Sequence, residues 1–189
     1  MVLDVVNYGH PILREKGADI SEITPEIETL IQNMFETMED YHGIGLAAQQ
    51  VAQALQLTVI DISAVEDRPS TLKIDGEEAD PKSIMPLVLI NPELELGGER
   101  EEGPEGCLSF PDIYADVERP ESVAVKAMDR ELKPIEFTAG GLLSRCIQHE
   151  VDHLNGVLFI DRMKKGTVKE LKPKLSGLAS RTREQLRKR

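Results

Sequence analysis

The chain has 189 residues with a formal net charge of −12 and two cysteines, enough length for one domain with a substantial core and too few cysteines for a disulfide framework. No apolar run approaches the length of a membrane span, and the opening MVLDVVNYGHPIL is too short and too acidic for a signal peptide, so a reducing, cytoplasmic compartment is expected. From Arg162 onward eleven Lys or Arg face two Glu, a local +9 that leaves the preceding body near −21, which excludes DNA gripping the body and leaves the tail as the basic surface.

Between Asp4 and Arg14, Gly9 and Pro11 break any periodicity, and an extended or irregular segment is expected. The first helix follows. Thr24 is a plausible N-cap with Pro25 at the first helical position, and Ile27, Leu30, Ile31, Met34 and Met38 recur at helical spacing up to Tyr41, before Gly43 and Gly45 end the run. That helix reads as core packing.

Gly43 to Gln50, GIGLAAQQ, brackets one apolar residue with glycines, which lets backbone approach another chain or a substrate closely. Gln50 could present an amide N–H to a developing oxyanion, or it could be a solvated glutamine in a turn that follows a helix end. Both remain open at this point. The run lacks the Lys and Ser or Thr of a phosphate loop.

Leu57 to Ile62 and Pro86 to Ile90 read as short buried strands, with the polar, Pro-bearing stretch 63–85 between them expected to form a surface hairpin or flap. The acidic run from Glu93 to Glu102 then leads into a loop-like GPEGCLSFP. Beyond it, Ser122 to Met128 and Pro134 to Thr138 alternate apolar and polar residues around a turn at 129–133, a hairpin pattern. Gly140 and Gly141 open the next helix.

That helix carries CIQHEVDH. His149 and His153 stand one turn apart on one face, close enough to share a divalent metal, while Glu150 is rotated to lie beside such a metal as a general base. HExxH also arises on helices that bind nothing. Here Leu142, Cys146, His149 and His153 form one stripe and Ile147, Val151 and Leu154 make neighbouring faces apolar, so the helix should be buried and its histidines need partners. A catalytic site needs a third protein ligand. Helical side chains lean toward the N-terminus, so the Cys146 thiol points away from the two imidazoles and reads as wall. Cys107 is the better candidate, against the alternative that it is a small buried apolar residue. Strands preceding one central helix predict an α+β fold, an antiparallel or mixed sheet around the metal-binding HExxH helix.

Three motifs stand together: GIGLAAQQ, EGCLS at Glu105 to Ser109, and QHEVDH at Gln148 to His153. In order and spacing they resemble the signature motifs of the peptide deformylases, and the similarity extends through the INPEL run from Ile90 and the GVLF run from Gly156 to about Asp161. The resemblance implies removal of the formyl group from the N-terminal formylmethionine of new polypeptides, with release of formate. An HExxH metallopeptidase or amidohydrolase acting on other peptides is the alternative. By motif position, the resemblance implies Cys107, His149 and His153 as metal ligands, Glu150 as acid and base, and Gln50 with the backbone N–H of Leu108 as oxyanion hole. Gly45 and Gly106 would meet the substrate backbone, and Ile44, Leu142 and Cys146 are candidates for the methionine pocket. Iron(II) is the metal the family implies, with zinc, nickel or cobalt as substitutes.

Two residues depart from the family pattern. Tyr114 stands where arginine is common, and Arg145, four before His149, occupies a usually apolar place near the methionine pocket. Arg145 is expected either to reach across the pocket mouth and, with Tyr114, alter substrate preference, or to hold its head in solvent. Residues 1–165 are expected to form the catalytic domain and 166–189 a basic extension, in which Pro173 and Gly177 argue against one uninterrupted helix. By the same resemblance that extension would touch the ribosome.

Overall fold

The structure is a computed structural model that describes residues 1–188; Arg189, the last residue of the basic extension, lies outside the described residues. The first residues run extended and are tied down by two backbone bonds, Val6 N–H to the Gln50 carbonyl and Tyr8 N–H to the Ser109 carbonyl, both 2.8 Å. A short 3₁₀ turn, Pro11–Arg14, follows. Helix α1 spans Pro25–Asp40 and begins as its sequence dictates: the Thr24 hydroxyl accepts the Ile27 N–H and Pro25 fills the first position, where no N–H is needed. Its buried Ile31, Met34 and Met38 face a cluster that includes Leu46, Leu57, Val59 and Ile90.

Strands β1 (Gly45–Ala47), β2 (Leu57–Ile60), β3 (Ser70–Ile74), β4 (Glu77–Ala79), β5 (Leu87–Gly106), β6 (Tyr114–Met128) and β7 (Pro134–Gly140) form one sheet in the order β1-β2-β5-β6-β7-β3-β4. Every pairing is antiparallel, which resolves the expectation of an antiparallel or mixed sheet. The short strand expected at Pro86 to Ile90 is in fact the start of a 20-residue strand, and the acidic stretch expected to be a link lies within it. Glu93, Glu95, Glu99, Glu101 and Glu102 face solvent while β6 supplies the hydrogen bonds, with Glu95 opposite Ala124, so charge on these outer positions does not interrupt the strand; Glu105, opposite Ala115, is buried instead. The run Gly103 to Gly106, expected as loop, is strand as well.

The stretch 63–85 does form a hairpin, β3 and β4, turning at Asp75 and Gly76, both with positive φ. It is no loose flap. β3 pairs with β7, the Pro69 carbonyl accepts the Leu142 N–H and the Ser70 hydroxyl accepts the Leu143 N–H, both at 3.0 Å.

Those last two bonds cap helix α2, Gly141–Leu154, whose own N-cap residue Gly140 has no side chain to do so. At its other end the Leu154 carbonyl accepts from the Gly17 N–H and from Gln56 Nε2, each at 2.9 Å, and from Gln49 Nε2 at 3.3 Å. Both termini are thus held by distant parts of the chain, which fixes the helix inside the sheet.

Helix α3 runs from Lys165 to Arg187 as one element with Pro173 inside it, contrary to the expectation of a break. Pro173 lies on the exposed side, where the carbonyl it leaves unpaired on Lys169 can be hydrated, and the opposite side buries Leu175, Leu178 and Ala179. Leu175 and Leu178 join Leu13, Phe110 and Phe159 in a third apolar cluster, and packing there outweighs the local penalty.

Candidate active site

The two histidines of α2 sit side by side, ring centroids 5.1 Å apart, and β5 ends at Gly106 so that Cys107 meets them. The Cys107 Sγ is 3.3 Å from His153 Nε2, and one donor atom from each of Cys107, His149 and His153 lies within 4.8 Å of the others. Cys146, on the same helix, is outside this group; its thiol lies 3.8 Å from the Ile44 carbonyl, as the lean of helical side chains predicts.

His149 Nδ1 is 2.8 Å from Glu105 Oε1. A carboxylate there accepts a hydrogen bond from Nδ1–H and leaves Nε2 with the free lone pair, fixing both tautomer and ring orientation. Glu105 is itself held. Arg119 grips it with Nε at 2.6 Å and Nη2 at 2.9 Å, Arg145 adds a bond at 2.9 Å, and Arg119 reaches on to Asp152 at 2.9 Å. Burial works to raise the Glu105 pKa, but the bonds to His149 and Arg119 outweigh it and hold the carboxyl at about 2. Glu105 is therefore an anion at neutral pH.

Glu150 behaves in the opposite way. Its Oε2 is buried without a hydrogen-bond partner among the described residues, and burial pushes its pKa up to about 7. Strand β1 passes against it so closely that a Cβ at Gly45 would lie 2.6 Å from Glu150 Oε1, which explains the glycine. Gln50 is 1% exposed rather than solvated: its Oε1 accepts the Ala47 N–H at 2.9 Å, and its Nε2 points at Ser109 Oγ (3.2 Å) and Cys107 Sγ (3.5 Å).

A cleft of about 690 Å³ exposes this cluster, lined by Gly43 to Gly45, Gln50, Gly106 to Leu108, Tyr114, His149 and Glu150 among others. A pocket of about 90 Å³ shares Ile44, Gly106, His149 and Glu150 with the cleft and is closed by Leu142, Arg145, Cys146 and Arg68. Every sequence-predicted site residue lines one of these two spaces except His153, which belongs to the cluster alone.

Arg145 does not hold its head in solvent. Its side chain is 12% exposed, and its guanidinium bonds Glu105, the Val117 carbonyl (2.7 Å) and the Glu101 carbonyl (3.0 Å), in space that Gly103 leaves free, since a Cβ there would meet Nη2 at 2.9 Å. Tyr114 is 73% exposed at the cleft rim, with its ring over Gly106.

Sequence reasoning assigned no role to Glu105, Arg119 or Asp152. A signal existed for the first, because a metal-ligating histidine commonly donates to a carboxylate, and Glu105 stands two before Cys107. Arg119 offered a weaker one, a charged residue on the inward side of β6 in register with Val117.

One cysteine sulfur and two imidazoles, the histidines buried and Cys107 partly so, are a donor set that suits a divalent first-row transition metal. The fold and this site together define a metal-dependent hydrolase built on an HExxH helix. Residues 2–169 match the family model for polypeptide deformylase. The chain is 48% identical over 175 residues to a peptide deformylase of Methylacidiphilum infernorum, covering 93% of this chain and 92% of that protein. It is 43% identical over 185 residues to one of Opitutus terrae, covering 97% and 96%. Among solved structures it resembles a peptide deformylase of Synechococcus elongatus in complex with actinonin, with TM-score 0.78, 42% identity and coverage of 95% and 88%. It also resembles peptide deformylase 1B of Arabidopsis thaliana, with TM-score 0.82, 34% identity and coverage of 97% and 93%. The chain belongs to the polypeptide deformylase family.

Proposed function

We propose that this chain removes the formyl group from N-formylmethionyl nascent peptides, at a divalent metal held by Cys107, His149 and His153. The observation that carries the proposal is the convergence of those three donors within 4.8 Å beside Glu150, whose buried oxygen has no partner among the described residues. Family membership favours this over a general metallopeptidase.

A metal bound there would act as a Lewis acid, polarising the formyl carbonyl and lowering the pKa of water. The chain supplies the rest. Glu150 accepts the proton of the attacking water and returns it to the leaving amine, and burial sets its pKa near working pH for that exchange. Gln50 Nε2 and the Leu108 N–H donate to the oxyanion; the Leu108 N–H has no acceptor among the described residues, and Leu108 lines the same cleft as Gln50. Edge strand β1 receives the substrate as an added strand, with Gly45 on one side and Gly106 on the other. The methionine side chain enters the small pocket between Ile44, Leu142 and Cys146. Arg145 and Tyr114 bound that route and shape preference along it.

Iron(II) is the native metal in this proposal, with zinc, nickel or cobalt able to occupy the same donors. No helix of the described residues is long and apolar enough to cross a membrane, and the cytoplasm is the compartment proposed. The test is product analysis. With formylated and free methionyl peptides, the iron-loaded chain should release formate and no amino acids, faster than the zinc form. Amino acids from the free peptide would overturn the substrate assignment, and equal zinc and iron rates would overturn the metal assignment.

A further inference from the structure

The chain between β2 and β3 brings one more residue to the pocket. Arg68 precedes Pro69 and Ser70, whose carbonyl and hydroxyl cap α2, so its backbone is anchored to the helix that carries the histidines. Arg68 is half-buried on the pocket wall beside Leu142 and Cys146, and it makes no hydrogen bond or ion pair among the described residues. Arg145, the other cation of that wall, is fully engaged with Glu105 and backbone carbonyls. The larger cleft is lined by no Lys or Arg. Among the described residues, Arg68 is therefore the one Lys or Arg lining the pocket or the cleft that has no hydrogen-bond or ion-pair partner.

An extended peptide sends alternate side chains to opposite sides and advances about 7 Å over two residues. With the methionine side chain in the small pocket, the third residue points to the same side as the pocket wall. The second points the other way. A span of about 7 Å is one that an arginine side chain bridges. Residues 1–161, Arg68 included, carry a net charge near −21, so the body away from Arg68 repels an acidic substrate on balance.

We propose that Arg68 is a specificity-determining residue that reads the third residue of the substrate and favours a carboxylate side chain there. This rests on the deformylase assignment above and on the methionine occupying the small pocket. The pair it forms is partly solvated, so the preference is modest, about two- to fivefold in kcat/KM for each unit of charge.

The experiment compares formyl-Met-Ala-Asp, formyl-Met-Ala-Asn and formyl-Met-Ala-Lys amides, with formyl-Met-Asp-Ala amide as a positional control, in the parent chain and in Arg68→Gln. Because Arg68 bonds nothing in the protein, the variant should melt with the parent. The parent should rank Asp above Asn above Lys at the third position, with the spread shrinking as salt rises. Arg68→Gln should remove that spread. An unchanged ranking in Arg68→Gln, an equal acid preference at the second position, or no ranking in the parent would each overturn the inference. Formate from none of these peptides would instead overturn the deformylase assignment on which it stands.

Discussion

Arg119 is the residue on which the most contacts of the site depend without touching the cleft. It is 4% exposed, pairs with Glu105 and Asp152, and through Glu105 fixes the ring of His149. Arg119→Met leaves the buried Glu105 and the partly buried Asp152 each short of a partner, and removing one member of a buried ion pair costs about 3–5 kcal/mol. Urea unfolding of the metal-free protein should read a loss in that range, and the remaining folded fraction should bind metal about 10- to 100-fold more weakly because His149 loses its orientation. A loss below about 1 kcal/mol would mean that Arg145 alone supports Glu105. At this scale the sequence was informative where spacing along one helix carries the geometry. His149, Glu150 and His153 could be placed from the helical repeat, and Cys107 by elimination. Arg119 could not, because its partners lie on another strand and on α2, and nothing local to its own strand states which side chains cross that distance.

At the level of elements, the sequence placed α1 to within a residue because Thr24 and Pro25 act locally, through one hydrogen bond and one ring. It misjudged β5 and α3 because what decides them is distant. Strand β5 extends through its glutamates only because β6 lies alongside, and α3 continues through Pro173 only because Leu175 and Leu178 have a cluster to enter. The hairpin formed by β3 and β4 belongs to the same lesson: it was legible as a hairpin, but its bonds to α2 were not. Ser70→Ala removes one of the two caps on that helix and should destabilise the chain by about 1 kcal/mol, read as a lower midpoint in thermal or urea unfolding. A midpoint equal to the parent's would mean that the Pro69 carbonyl and solvent satisfy the helix start without it.

Across the whole molecule, charge is divided between an acidic body and a basic last helix whose buried side is anchored in the core. Lys172, Lys174, Arg181 and Arg183 all lie on its exposed side. We propose that this face gives salt-sensitive contact with ribosomal RNA, where the substrate emerges. Because Leu175 and Leu178 are structural, the informative variant neutralises those four cations to Gln and keeps the helix. Co-sedimentation with ribosomes at low salt should fall at least tenfold, and undiminished binding would count against the contact. The division of charge was legible from composition; the anchoring of the helix was not, since basic residues dominate its sequence and only four of its positions are buried.

The proposed chemistry stands on a buried carboxylate, Glu150, serving as proton carrier beside three converging donors. Its most direct test is metal content and formate release measured together on Glu150→Gln. One metal ion per chain with turnover lowered by a factor of about 100 or more is the predicted result; turnover within a few-fold of the parent would contradict it.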